Sequence, residues 1–111
     1  MSNKFLEDIL DCIAAIENFT TGIQNFQEFS NNRLIRRAVE RELEIISEAL
    51  SRISEIEPDL IISDFKLIKG MRNRIIHAYD SVDDAIVWNA VKKHLPVLKS
   101  EVEQYLKKRK N

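Results

Sequence analysis

Apolar residues recur every three or four positions along most of this chain, which is the pattern of amphipathic α-helices. One such stretch covers about residues 4–19 and a longer one covers about residues 32–56. The longer stretch predicts the helix that organises the fold. We expect it to end at Glu57 and Pro58, because proline lacks a backbone donor and restricts the residue before it.

The remaining helical patterns are shorter. Residues 23–32 are short and rich in asparagine, so they predict a loop or a single helical turn that leads to a new N-cap. A third helix is expected to start after Ser63 and to contain Gly70, where another backbone can approach closely. A fourth helix is expected from Ser81, and Pro96 fits the first turn of a fifth.

Composition supports a helical fold. Two glycines and two prolines in 111 residues are too few for a turn-rich β protein. The length fits a single domain spanning residues 1–111. Short connections between amphipathic helices favour an all-α antiparallel bundle of four main helices plus a short one.

Charge and cysteine content narrow the class of protein. The only cysteine, Cys12, excludes an intrachain disulfide, and the formal net charge of −1 argues against coating nucleic acid through bulk electrostatics. No apolar run approaches the roughly 20 residues needed to span a bilayer, and the N-terminus lacks the order of a signal peptide. We therefore expect a cytoplasmic protein without membrane contacts.

Basic residues cluster in three places, and each cluster has an ordinary explanation as a solvated helix face. The clusters are Arg33, Arg36, Arg37 and Arg41; Lys66, Lys69, Arg72 and Arg74; and residues 107–110. Alternating glutamates on a helix face different directions, so the acidic positions do not predict a metal site, and no cofactor is expected. These positions are Glu40, Glu42, Glu44, Asp83 and Asp84.

The segment with the most distinctive chemistry is residues 72–80, with the sequence RNRIIHAYD. Arg72 can clamp phosphate oxygens, and His77 can take and give a proton near neutral pH, which together indicate phosphodiester cleavage. On spacing alone, however, the same string fits solvated arginines, a half-buried His77 and a packed Tyr79. The other histidine, His94, lacks a nearby nucleophile and is interpreted as a capping or surface residue.

Helix geometry constrains how these groups can act together. On an ideal helix Arg72 and His77 lie about 140° apart, whereas Asn73 and His77 share a face. Two arrangements resolve this: a helix that ends or distorts near His77, or a dimer in which two copies of the segment face each other across a two-fold axis. The dimer would supply one histidine as base and one as acid.

Several ordered motifs together resemble the HepT-like branch of the HEPN superfamily. They are residues 70–79 (GMRNRIIHAY), 82–83 (VD), 86–88 (IVW), 95–96 (LP), 43–49 (LEIISEA) and 6–10 (LEDIL). The resemblance covers nearly the whole chain. One departure is Ser47, where a small glycine is common in the family, and it bears on helix packing rather than on chemistry.

The resemblance implies an all-helical homodimer that is the toxin of a toxin–antitoxin pair and a metal-independent endoribonuclease. Arg72 and His77 match the catalytic pair of the family, and Asn73 matches the polar residue after that arginine. The antitoxin partner of the family is a minimal nucleotidyltransferase that can transfer AMP to the tyrosine matched by Tyr79. Lys69 and Arg74 are candidates for RNA binding beside this motif.

Two other functions remain open from the sequence. The chain can be a non-catalytic HEPN partner that docks a nucleotidyltransferase and presents Tyr79. It can also be a structural helical dimer whose long helix is the interface, with the motif incidental. Loss of RNA cleavage in His77→Ala would distinguish the ribonuclease from both.

Overall fold

The computed structural model describes residues 3–71 and 81–109, and these residues form helices and connections without any β-strand. The helices are α1 (Asn3–Phe19), α2 (Phe26–Asn31), α3 (Arg33–Ile56), α4 (Phe65–Lys69), α5 (Ser81–Asn89) and α6 (Leu95–Arg109), with a π-helical turn (Ala90–His94) between α5 and α6. None of these helices combines the length and apolar character needed to cross a membrane. The all-α class is confirmed, while the bundle arrangement, the single domain and the dimer stay predictions.

The core forms where the apolar stripes of α1 and α3 meet, as the sequence periodicity predicts. The buried stripe residues are Leu6, Ile9, Cys12, Ile13 and Ile16 on α1, and Val39, Leu43, Ile46, Ala49, Leu50 and Ile53 on α3. Leu98 and Val102 of α6 and Phe29 of α2 join the same cluster. Burial of this apolar surface is the main stabilising contribution to the fold.

The asparagine-rich segment contains α2, a helix of six residues that extends the expected loop or single turn. Its asparagines are caps: Oδ1 of Asn25 accepts a hydrogen bond from the backbone of Glu28 at 3.0 Å. Asn32 closes α2 and caps α3 in the same way, as the predicted N-cap. Phe29 then buries its ring completely, which explains why so short a helix is retained.

Pro96 lies in the first turn of α6, as expected, and a π turn joins α6 to α5 without a break. The chain stays helical through residues 81–109, and the backbone N–H of Leu95 donates to the carbonyl of Ala90, five residues earlier. Proline lacks a donor, and its ring clashes with the carbonyl four residues before it in an α-helix. The wider turn therefore admits Pro96 without ending the helix.

Ser47 joins α3 to the end of α4. Its buried hydroxyl lies 3.2 Å from the carbonyl oxygen of Ile68 and 2.5 Å from that of Lys69. Carbonyls in the last turn of a helix have few intrahelical donors, and the single proton of this hydroxyl is shared between these two acceptors. The serine that departs from the family pattern thus makes a specific packing contact.

At Gly70, an added Cβ would lie 3.1 Å from the carbonyl oxygen of Lys66, a close approach to the last turn of α4 itself.

Replacing Ser47 with Ala is expected to lower the free energy of unfolding by roughly 1–2 kcal/mol, because the buried carbonyls at the end of α4 lose their donor. Urea unfolding at neutral pH measures the change. Ser54→Ala is the matched control, since the Ser54 hydroxyl donates to the carbonyl of Ser51 within its own helix. Equal effects of the two substitutions would contradict the assigned role of Ser47.

Candidate functional site

The residues on either side of the predicted motif both contact α3. On the N-terminal side, the end of α4 accepts the hydrogen bonds of Ser47, and Met71 is fully buried. On the C-terminal side, Asp84 of α5 contacts Arg36. Arg36 and Ser47 are eleven residues apart on one helix, which places the two contacts roughly 16 Å apart along its axis. A single rigid element therefore carries both ends of the motif segment.

The motif side chains themselves lie outside the described residues. These are Arg72, Asn73, Arg74, His77 and Tyr79, and their assigned roles stay predictions. Lys69 is described: it is exposed, and its Nζ lies 5.6 Å from the ring centroid of Phe65, within range of a cation–π contact. Its role in RNA binding also stays a prediction.

Arg36 and Asp84 form a largely buried ion pair between α3 and α5. Nη1 of Arg36 lies 3.4 Å from Oδ1 of Asp84, and the two side chains are 22% and 9% exposed. The hydroxyl of Ser30, at the end of α2, donates to the other carboxylate oxygen at 3.4 Å. Beside this pair the ring of Trp88 stacks on Phe29, with centroids 5.0 Å apart. The start of α5 is thus held against both α2 and α3.

Glu40 is a buried carboxyl group one turn along α3 from Arg36. Its side chain is 5% exposed, and its Oε1 lies 3.5 Å from Nη1 of Arg37. Burial raises the pKa of Glu40 above its usual value of 4.5, and the negative charges of Asp84 and Glu44 act in the same direction. Arg37 and Arg36 oppose the shift without cancelling it. The fold therefore disfavours the ionised form of Glu40.

The sequence interpretation missed this cluster because it treated the arginines of α3 as one solvated face. A signal was present: Arg36 stands three residues before Val39 and Glu40 three residues before Leu43, on the apolar stripe. The partner of Arg36, Asp84, is 48 residues away along the chain, and that pairing has no local signature. Among the described residues, no three His, Cys, Asp or Glu side chains converge as metal ligands.

His94, in the π turn, contacts the segment that connects α3 to α4. Nδ1 of His94 lies 2.8 Å from Oδ2 of Asp64, and the side chains are 22% and 42% exposed. Asp64 has a φ of 58°, in the left-handed region, and its side chain makes no capping bond to α4. Its carboxylate contacts the imidazole instead, which agrees with the structural interpretation of His94.

Side chains of α6 form hydrogen bonds with the same segment between α3 and α4. The backbone N–H of Ser63 lies 3.1 Å from Oε1 of Glu101, and the serine hydroxyl donates to Oε2 of that residue at 2.8 Å. The hydroxyl of Tyr105 donates to the carbonyl of Ile61. Together with His94, these contacts position α4 and hence the N-terminal flank of the motif.

Comparison with known proteins identifies the family of this chain. The sequence model described as "Ribonuclease HepT-like" matches residues 9–105, a span that includes the whole motif. The chain belongs to the HepT-like ribonuclease family. The resemblance inferred from the ordered motifs is thereby confirmed, and so is ribonuclease activity as the activity of the family.

Individual relatives agree with the family. A protein of Methanocaldococcus jannaschii named "Putative RNase" is 40% identical over 104 residues, which cover 93% of this chain and 85% of that protein. A protein of Thermococcus cleftensis named "Probable ribonuclease HepT" is 36% identical over 107 residues, which cover 93% and 94% of the two chains. No solved structure is significantly similar to the chain.

Replacing Glu40 with Gln is expected to raise the free energy of unfolding at neutral pH by about 1 kcal/mol, because a buried charge is removed. Since folding raises the pKa of Glu40, the folded state binds more protons than the unfolded chain. Its stability therefore falls as the pH rises from about 4.5 through the raised pKa. The amide has no such dependence, so the advantage of Glu40→Gln should grow with pH.

Urea unfolding of the parent chain and the variant between about pH 4 and 8 tests this pH dependence. Glu103→Gln removes the charge of an exposed glutamate on α6 and serves as the control. A Glu40→Gln difference that is constant with pH, or no larger than that of the control, would contradict the assignment.

Proposed function

We propose that this chain is the toxin component of a toxin–antitoxin pair, a cytoplasmic endoribonuclease that cleaves RNA without a metal ion. The family match over residues 9–105 carries the proposal, because that span contains both Arg72 and His77. The contacts of both motif flanks with α3 support it, since a catalytic segment must be held in a defined geometry.

The motif contains the groups that metal-independent RNA cleavage needs. A base removes the proton of the 2′-hydroxyl, whose oxygen attacks the adjacent phosphorus and forms a cyclic phosphate. The bond to the 5′-oxygen breaks, and an acid supplies a proton to that oxygen. His77 fits the acid or base, and Arg72 fits the cation that stabilises the charge developing on the phosphate.

A homodimer supplies both proton-transfer groups. Each chain has only one motif histidine, and on an ideal helix Arg72 and His77 point about 140° apart. Two copies related by a two-fold axis bring two histidines and two arginines to one cleft, where one histidine acts as base and the other as acid. Asn73 shares the face of His77 and is the supporting polar group.

Control of this activity is assigned to Tyr79. A nucleotidyltransferase antitoxin would join the phenolic oxygen of Tyr79 to the α-phosphorus of ATP, with pyrophosphate as the leaving group. The added phosphate would occupy the donors of Arg72 and repel an incoming RNA backbone, and the adenosine would block the cleft. Neutralisation then requires no unfolding.

Substituting His77 with Ala is expected to reduce RNA cleavage at least about 100-fold, the usual contribution of general acid–base catalysis. Total cellular RNA is incubated in EDTA with the parent chain, after mass spectrometry has verified that Tyr79 carries no nucleotide. Arg72→Ala should lose activity as well. Arg52→Ala is the control, because Arg52 is an exposed arginine that pairs with Glu48 and Glu55.

Intact RNA with the unmodified parent chain would refute the ribonuclease and favour the non-catalytic partner of a nucleotidyltransferase. An active His77→Ala protein would refute the role of His77.

Tyr79→Phe is expected to abolish nucleotide transfer, because the accepting oxygen is absent. The chain is incubated with the cognate nucleotidyltransferase and ATP, and the intact mass is measured for one added AMP group. The chain has two tyrosines, so Tyr105→Phe is the matched control and should still be modified. Addition of AMP to the Tyr79→Phe protein would contradict the assignment.

A further inference from the structure

The basic cluster at the start of α3 divides into an inward and an outward part. Arg36 turns inward to Asp84. Arg33, Arg37 and Arg41 are exposed, and the side chains of the last two are 59% and 70% exposed. Residues spaced by four lie on one face of a helix, so the outward arginines form a stripe roughly 12 Å long. We call these three residues the arginine stripe.

The acidic residues beside the arginine stripe form only weak ion pairs with it. Arg37 contacts Glu40 at 3.5 Å and Arg41 contacts Glu44 at 3.6 Å, both long distances for an ion pair. Such pairs contribute little when one partner is exposed to solvent. The first turn of α3 contains no acidic residue, and the N-terminus of the helix adds positive potential. The stripe can therefore exchange these carboxylates for phosphate groups.

A polar groove of about 660 Å³ continues the stripe beyond Arg33, at the corner between α2 and α3. It is lined in part by amide side chains, those of Asn25, Gln27, Asn31 and Asn32. The oxygens of Asn25 and Asn32 accept capping hydrogen bonds, so these two amides offer N–H donors to a ligand. Glu28 also lines the groove, and its carboxylate accepts a hydrogen bond from the backbone of Gln24 at 3.1 Å.

The stripe lies on the helix that also contacts the residues following the motif. Arg36 stands between Arg33 and Arg37 in sequence, and it contacts Asp84, which is four residues beyond the end of the motif stretch at Asp80.

We propose that the arginine stripe and the amide-lined groove form a track that binds the backbone of single-stranded RNA. The arginines bind successive phosphates, and the amides hydrogen-bond to sugars or base edges. This role rests on the proposed ribonuclease function, for which the track supplies substrate contacts outside the catalytic motif. Because phosphate contacts are independent of sequence, the track determines where RNA lies rather than which RNA is chosen.

Salt-dependent binding tests the track separately from cleavage. Binding of a fluorescent single-stranded RNA is measured in EDTA with the cleavage-inactive His77→Ala chain, at several salt concentrations. The variant adds Arg33→Gln, Arg37→Gln and Arg41→Gln. A plot of log K for RNA binding against log salt has a negative slope, and its magnitude should decrease by about 0.7 for each phosphate that the variant no longer neutralises, about 2 in total. The affinity at 0.1 M salt should be at least about tenfold weaker.

The control carries the same change of charge at another place. It combines Lys93→Gln, Lys107→Gln and Lys108→Gln, which are exposed positions outside the groove and the stripe. The control is also made in the His77→Ala chain, and its slope should stay close to that of the His77→Ala chain alone. Circular dichroism and urea unfolding verify that both triple variants are folded.

Two results would overturn the track: equal slopes and affinities of the two triple variants, or no measurable RNA binding by the His77→Ala chain that carries no further substitution. Unchanged RNA binding together with weaker binding of the nucleotidyltransferase would also overturn it, and would assign the stripe to a protein partner. Failure of the ribonuclease is distinguishable, because a parent chain that leaves RNA intact but binds it through the stripe would refute the cleavage alone.

Discussion

The packing of α3 against α1 is the interaction on which the rest of this structure depends. α3 has 24 residues, and its buried stripe extends from Val39 to Ile53. A helix of that length is about 36 Å long and behaves as a stiff rod when one face is buried. The contacts made by Arg36 and Ser47 therefore keep a fixed separation as long as the α1–α3 core holds. Without this core, both flanks of the motif lose their contacts with α3.

Polar groups on the buried face of α3 determine which register the other helices adopt. An apolar stripe tolerates small shifts, because many packings bury similar area. The hydroxyl of Ser47 is less tolerant, because the carbonyl oxygens of Ile68 and Lys69 must lie within hydrogen-bonding distance. The ion pair between Arg36 and Asp84 acts likewise on α5. Apolar contacts supply most of the stability, and these few polar contacts align the chain on both sides of the motif.

The sequence predicted the elements whose signal is local. The boundaries expected for the two long helices, 4–19 and 32–56, agree within one residue with α1 and α3, because a strong period and clear caps coincide there. The π turn was not predicted, because proline normally indicates a helix start and the wider turn has no distinct periodicity. The pairing of Arg36 with Asp84 was not predicted either, since it joins elements 48 residues apart. The motif chemistry was inferred from residue types and stays a prediction, whereas the contacts that support the motif flanks are tertiary and have no local signal.

The distribution of charge explains how a nearly neutral chain can act on a polyanion. The formal net charge is −1, so at a distance RNA meets almost no attraction. At physiological salt, screening limits the effect of each exposed charge to about 8 Å, so only locally grouped charges act on RNA. The arginine stripe is such a group, and in the control proposed above AMP on Tyr79 would act on one further charge, that of Arg72. An activity that depends on a few local charges is open to control by one added phosphate, because no large field has to be overcome.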